Sequence, residues 1–484
     1  MHGCTLRGPA MLLAVLATLA ASATAIGQQT SPVLPSDPGY LLASESNYAL
    51  PASPATPAEA TLVSRSPSAD DDLAAKVEKL EAEIKKIKDK EADAKKKAAS
   101  KPSVTVGGRI YLDQAFYGQS AASIARLGDA QDTTAFRTAR LFAEGHAFDV
   151  ISYKAEFDFA ARDANNLSLT SFKDVYIAVS DLPIAGEVKL GHFKEPLSIE
   201  ELTSSRFITF MERSLLNVFA PARNVGVQAM RVADSENATF AIGLFRTMGD
   251  TPPYLADDDL GLAMTMRATW LPWYDEATEG RGLLHLGVGY SYRDLNNPVV
   301  RVRQRPETGY GVNIVDTGNI GNVADIHLFN PEIAFVYGPF SVQSEYMGAA
   351  YVRDGGVGDA FFNGAYVQLS YFLTGEHRPY KRSAGCFDRV KPFENFFRVR
   401  AEDGYVYTGK GAWELAYRYS YLDLDHPSAG VFGGYGSDHT FGVNWYLNPY
   451  TRLMFNYIHS HVGPANQLAD TFIDVFAMRA QIDF

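Results

Sequence analysis

The sequence predicts an all-β fold: a transmembrane antiparallel β-barrel of about sixteen strands, preceded by a short N-terminal coiled-coil helix. Three observations carry this. From residue 104 to residue 484, apolar and polar residues alternate in segment after segment, with turn residues between them. The connections between segments are alternately short and long. The N-terminus reads as a secretory signal, and no later apolar run is long enough for a spanning helix, so a chain that sits in a membrane must do so as a closed barrel.

The bulk composition agrees. The chain has 484 residues and a net charge of −12, from 44 Lys and Arg against 56 Asp and Glu. That balance gives no electrostatic footprint for nucleic acid, and no nucleic-acid partner is expected. The 29 Phe, 26 Tyr and 40 Gly suit β-rich structure. Of the two cysteines, Cys4 lies in the segment expected to be removed and Cys386 reads as a bystander in a loop, so no disulfide is expected in the mature chain.

Residues 1–25 form the expected signal peptide. Arg7 supplies the basic region, Met11 to Ala21 the apolar core, and Ala23-Thr24-Ala25 the small-residue cleavage pattern. Residues 26–72 are rich in Pro, Ser and Ala, a composition that cannot bury a core and reads as disordered linker. In 73–99, Leu73, Val77, Leu80, Ile84 and Ile87 recur at alternating intervals of four and three, the spacing of a coiled-coil seam. A helix this short is marginal alone. The seam reads as an oligomerisation stalk, against the alternative of a solvated helix with little partner contact.

The barrel strands are expected at 104–117, 135–149, 150–162, 170–181, 184–194, 224–233, 236–247, 260–271, 283–294, 326–338, 340–353, 360–373, 412–424, 438–447, 451–462 and 471–484. The count is even, as a closed bacterial barrel requires. Tyr337-Gly338-Pro339-Phe340 and Leu447-Asn448-Pro449-Tyr450 are tight turns, whereas 295–325 and 425–437 are long loops at the other end. Residues 374–411 are long but fall at the short-turn end: either the count slips there or a periplasmic excursion exists. In the last strand, Met478, Ala480, Ile482 and Phe484 share one face, and Arg479, Gln481 and Asp483 the other, as lipid outside and water inside demand. Trp270, Trp273, Trp445 and Tyr446 read as interfacial girdle residues.

Residues 195–223, between the fifth and sixth strands, lack strand alternation. They mix Glu200, Glu201 and Glu212 with Arg206, Arg213, Arg223 and several aromatics, and helical stretches are expected at 199–202 and 209–216. A long insert of this kind inside a compact domain is usually functional.

Several stretches together resemble the phosphate-selective porin O and P family. They are LGHFKEPLSIEELTSSRFITFMERSLLNVFAPARNVGV (190–227), FRTARLFAEG (136–145), GAWELAYRYSYLDLD (411–425), FGVNWYLNPYTRLMFNYIH (441–459) and AMRAQIDF (477–484). The resemblance implies a sixteen-stranded outer-membrane barrel assembling as a homotrimer, with the insert folded into the lumen as a constriction.

A passive pore discriminates by size and charge at its narrowest point. Selecting anions requires Arg or Lys on the lumen side, where low-dielectric walls focus the field, and Arg matches phosphate through its fork of donors. Alternation places Arg109, Arg140, Lys154, Lys189, Arg267, Arg418 and Arg479 on that side, and the insert adds Arg206, Arg213 and Arg223. These candidates share the lumen with Glu144, Glu156, Asp158, Asp174 and Glu414, so each Arg can equally be neutralised by an ion pair. Residues 104–484 hold 32 basic against 44 acidic residues, which keeps a general or cation-tolerant pore open. A third possibility is a barrel-anchored envelope protein whose stalk binds cell-wall material. The sequence contains neither a glycine-rich phosphate loop nor a Ser-His-Asp arrangement, so no enzymatic activity and no cofactor are expected. His459 and His461 read as a solvated pair rather than a metal site. The expected partners are outer-membrane lipid and small inorganic anions, and the expected location is the outer membrane.

Overall fold

A computed structural model describes residues 102–162, 168–247, 261–400, 404–463 and 470–484, and ten helical positions between Lys76 and Lys90. The expected signal peptide (1–25) and linker (26–72) lie outside the described residues. The described positions of the expected stalk are exposed, Leu80 and Ile84 of the seam among them. They belong to a unit separate from residues 95–484.

Sixteen antiparallel strands close into one barrel. In chain order they are β1 (Thr105–Gln119), β2 (Thr133–Ala147), β3 (Ile151–Arg162), β4 (Ser168–Leu182), β5 (Gly186–Lys194), β6 (Arg223–Val232), β7 (Ala238–Arg246) and β8 (Leu262–Tyr274). Then follow β9 (Gly282–Asp294), β10 (Val323–Tyr337), β11 (Phe340–Arg353), β12 (Ala360–Phe372), β13 (Ala412–His426), β14 (Val431–Asn448), β15 (Thr451–Val462) and β16 (Thr471–Asp483). The cylinder closes where β1 pairs with β16, from Arg109 opposite Asp483 to Gln119 opposite Ile473. Period-two alternation decides which residues face in. On β12, Phe361, Val367, Leu369 and Tyr371 are exposed to the outside, while Phe362, Tyr366, Gln368 and Ser370 are buried inside. Gly338 takes φ 56° in the tight β10–β11 turn, a conformation that favours glycine.

The lumen is partly filled. Leu215, Leu216 and Phe219 of the insert meet Val302, Ile314, Val315 and Ile320 of the β9–β10 connection, and both pack on Met347, Phe362, Leu422, Met454 and Ile458 of the wall. The β9–β10 connection is therefore not an open surface loop: a small hairpin, Arg303–Gln304 against Val315–Asp316, folds inward. The long β12–β13 connection is a true excursion, and the strand count stands. Its first half turns up into the barrel, where Tyr380 and Phe387 pack on Ile199, Leu271, Leu283 and Val336. Cys386 sits buried in a second small hairpin, Tyr380–Lys381 against Cys386–Phe387, rather than in a loop.

Three local expectations fail for identifiable reasons. The expected loop 425–437 is mostly strand, because the backbone ladder of Asp423 with Tyr435 and of Leu422 with Gly436 overrides a glycine-rich sequence without clear alternation. The expected helix at 209–216 is absent, and only a 3-10 turn, Leu215–Val218, forms there. Wall side chains take the carbonyls a helix would need: Asn444 donates to Thr209 O at 2.7 Å, Arg452 to Ile208 O at 2.8 Å, and Arg479 to Met211 O. Finally, Tyr446 is not a girdle residue. It points into the barrel and donates to Glu414 at 2.8 Å, whereas Trp270 and Trp273 are exposed on the outside.

Candidate functional site

The insert leaves the wall where Lys194 at the end of β5 pairs with Arg223 at the start of β6. The buried Glu195 then accepts from Asn224 at 2.6 Å and Arg293 at 2.8 Å, which draws the chain into the lumen. A single helical turn follows, Ile199–Leu202, capped by the Ser198 hydroxyl. Two wall carboxylates hold its first amides: Ile199 N donates to Glu332 at 2.7 Å and Glu200 N to Glu345 at 2.9 Å. The loop then folds back on itself, as Arg213 donates to the carbonyls of Glu200, Glu201 and Thr203 at 3.0–3.1 Å.

Between this loop and strands β1–β6 lies a cavity of about 200 Å³. Nine cationic side chains line it: Arg109, Arg137, Arg140, Lys154, Lys194, Arg206, Arg213, Arg223 and Arg479. Only two carboxylates join them, Asp174 and Glu212. Toward the short-turn end it leads into a wider space of about 780 Å³, which shares Lys154, Asp174 and Lys194 and adds Lys189, Arg231 and Lys381.

The missing counter-charges sit behind the cations. Glu156, fully buried, accepts from Arg109 at 2.5 Å and Arg140 at 3.2 Å, with Lys154 at 3.4 Å. Asp158 accepts from Arg140 and Asp113 from Arg479, both at 2.7 Å. Glu201, also buried, holds Lys194 and Arg213, each at 3.1 Å. The acids thus satisfy the desolvated cations from the wall and from the insert; Arg109, Arg223 and Arg479 are buried with them, while Arg137, Arg140, Lys154, Lys194, Arg206 and Arg213 keep part of their surface toward the cavity.

The cavity gathers seven of the ten residues expected from the sequence: Arg109, Arg140, Lys154, Arg206, Arg213, Arg223 and Arg479. Lys189 lies in the wider space, 4.7 Å from the Tyr176 ring centroid. Arg267 borders that space but is buried, tied to Glu332 at 2.6 Å and Gly385 O at 2.7 Å. Arg418 is withdrawn from the cavity altogether. It is only 1% exposed and bridges Glu200 at 3.0 Å to Glu307 at 2.5 Å. It therefore joins wall, insert and β9–β10 connection. Sequence reasoning missed Lys194 and Arg137. Arg137 and Arg140 are an odd number of residues apart and cannot both face inward in a regular strand. A β-bulge in the β1–β2 ladder, where Tyr111 and Leu112 oppose Thr138 and Phe136, turns Arg137 in toward Glu212 at 2.8 Å. His459 and His461 are paired with Asp474 and Asp470 at 2.8 and 3.1 Å, and the described residues hold no cluster of three metal-binding side chains.

The family profile described as phosphate-selective porin O and P matches residues 104–484. The chain belongs to this family. The porin is 28% identical over 421 residues to Porin O of Pseudomonas aeruginosa, covering 79% of this chain and 88% of that protein. It is 27% identical over 362 residues to an uncharacterised protein of Caulobacter vibrioides, covering 72% and 68%. Among solved structures, the anion-selective porin from Comamonas acidovorans matches with a TM-score of 0.45 and 14% identity, over 79% of this chain and 100% of that one. The protein is an outer-membrane channel and not an enzyme.

Glu212 is one of the two carboxylates that line the cavity. Burial alone would push it up, but Arg137 and Arg479 outweigh burial and hold it down at about 2. A carboxyl lowered on folding contributes stability above its unfolded value, near ~4.3, and loses it as pH falls through the folded one. Glu212→Gln should therefore raise anion selectivity over the wild type by a constant amount above about pH 4. That difference should shrink as pH approaches about 2 and Glu212 in the wild type takes up its proton. Reversal potentials of the two proteins across this range check it.

Proposed function

We propose that the porin is anion-selective and passes small inorganic anions, phosphate among them, by passive diffusion. The observation that carries this is the lining of the constriction, with nine cations against two carboxylates. The acidic excess of the barrel as a whole does not oppose it, because the acids nearest the cavity are behind the arginines and the field in a narrow pore is local. The less buried of these cations, Arg137, Arg140, Lys154, Lys194, Arg206 and Arg213, are the residues that would meet the ion. The test is a planar-bilayer reversal potential under a salt gradient, with chloride and phosphate compared. An anion-selective value with phosphate preferred is expected. A cation-selective value would make this a general or cation-tolerant pore, and no conductance at all would favour the anchored envelope protein whose stalk holds cell-wall material.

The porin is further proposed to be a homotrimer. On β7–β16 the outward face carries Trp270, Trp273, Tyr290, Tyr337, Tyr371, Trp413, Tyr417 and Trp445. On β1–β6 the outward side chains are Ile110, Leu112, Phe116, Phe136, Leu141, Ile177, Leu190 and Val227, and among the described residues Tyr153 is the one outward Tyr or Trp. Interfacial anchors mark lipid contact, so their thinning on one side supports protein as the neighbour there. The seam of the stalk would add to the same assembly after the signal peptide is removed. Deleting 73–99 should lower the share of trimer in mild detergent, read by light scattering; an unchanged trimer would free assembly from the stalk.

A further inference from the structure

The β12–β13 excursion has two halves of opposite character. Up to Val390 it is packed inside the barrel. Beyond Phe393, whose backbone N–H donates to the buried Glu376 at 3.0 Å, it leaves the lumen and passes to the outside of the wall. Phe396 N donates to Leu447 O at 2.6 Å, and its ring meets Trp445 edge-on at 4.7 Å. Trp445 stacks on Trp413 at 4.8 Å and donates from its indole nitrogen to Lys410 O at 2.9 Å. The adjoining Glu414 and Asn444 face the lumen, so these tryptophans face outward, at the short-turn rim.

We propose that residues 391–400 and 404–410 form a membrane-interface flap that rests on phospholipid headgroups beside the barrel. The segment makes one small ladder, Val399 with Tyr407 and Arg400 with Val406, yet it exposes large apolar side chains. Phe393 is 65% exposed, Phe397 59% and Tyr405 70%. Leu373, at the foot of the excursion, is exposed as well. So much aromatic surface on a single short hairpin marks an interaction site. Two features name the occupant. The patch is continuous with the Trp413–Trp445 pair of the girdle, which borders lipid in an outer-membrane barrel. Lys391, Arg398 and Lys410 are also exposed on it, and these cations would meet headgroup phosphates. Aromatic rings at the acyl boundary with lysine and arginine above them suit an interfacial segment that lies in the plane of the membrane. The flap sits beside β12–β14, away from the β1–β6 face, and takes no part in lining the constriction.

The test places a nitroxide on Phe397→Cys and, separately, Tyr405→Cys in a Cys4→Ala, Cys386→Ala background. The full-length porin is reconstituted in phosphatidylethanolamine–phosphatidylglycerol vesicles, with Asn297→Cys on the β9–β10 connection as the water-exposed reference. Single-channel conductance confirms each variant is folded, and Phe393→Cys replaces any that is not. Power-saturation spectra should show that oxygen relaxes the probes at 397 and 405 several-fold more than a water-soluble nickel chelate does, with the reverse at 297. Equal or greater access for the chelate at 397 and 405 would put the flap in water and overturn the proposal. Exclusion of both relaxants would overturn it in favour of a second protein copy.

Discussion

Arg418→Ala should destabilise the porin more than any other lumen substitution and loosen its constriction. The guanidinium donates to Glu307 at 2.5 and 2.9 Å, to Glu200 at 3.0 Å and to Glu212 O at 2.9 Å, and it lies 4.4 Å from the Phe210 ring centroid. Ser420 and Thr440 complete the shell around Glu307. Removing one partner of a buried pair leaves an uncompensated charge and costs about 3–5 kcal/mol. Here two carboxylates are abandoned together, on two different chain segments. The loss should appear as unfolding at lower temperature, read from the heat-dependent gel shift of the barrel, and as a noisier, larger conductance. Arg418→Lys keeps the charge but not the fork, so it should restore only part of the stability. A thermal shift no larger than that of Arg140→Ala would show that Arg418 is not the clamp described.

Arg206→Glu should have the largest effect on selectivity. Of the arginines lining the cavity, Arg206 has the longest ion pair, 3.8 Å to Asp483. Its backbone is held independently, since Arg452 and Gln481 donate to its carbonyl at 3.4 and 3.1 Å. The side chain can therefore be changed without moving the loop. At about 4 Å in bulk water each unit charge contributes about 1 kcal/mol, so reversing one charge changes the interaction with a monovalent anion by about 2 kcal/mol as a floor. That corresponds to roughly thirtyfold weaker occupancy, with a larger loss for a dianion. Reversal potentials should move toward cations at low salt, and high salt should shrink the difference through screening. An unchanged potential at low salt would remove Arg206 from the selectivity element.

The sequence made the barrel legible because period-two alternation is local. Each strand announces itself within a dozen residues, and the alternation of short and long connections gives its direction. The site was legible only in part, because its chemistry depends on register. Whether Arg418 is a free cation or a clamp depends on Glu200 and Glu307, which lie 218 and 111 residues away. The bulge that admits Arg137 shifts the phase of one strand by a residue, which no residue type announces. The β12–β13 connection left a slipped count and a periplasmic excursion equally open, because its hydrophobic residues serve two environments, the barrel interior up to Val390 and the outer rim beyond it.

Arg479 binds Asp113 on the first strand with both ends of its fork and reaches Glu212 of the insert at 2.7 Å. It lies on the last strand, so it bridges the joint at which the cylinder is shut, between residues 366 positions apart. Bringing ends so distant together is the entropically demanding step of assembly. The Arg479–Asp113 pair joins the two strands by itself, and the third contact, to Glu212, forms only when the insert is seated. Shutting the cylinder and furnishing its throat are therefore coupled: a chain whose insert fails to seat would keep the Arg479–Asp113 pair and the strand ladder but lose the contact that ties the closed joint to the insert.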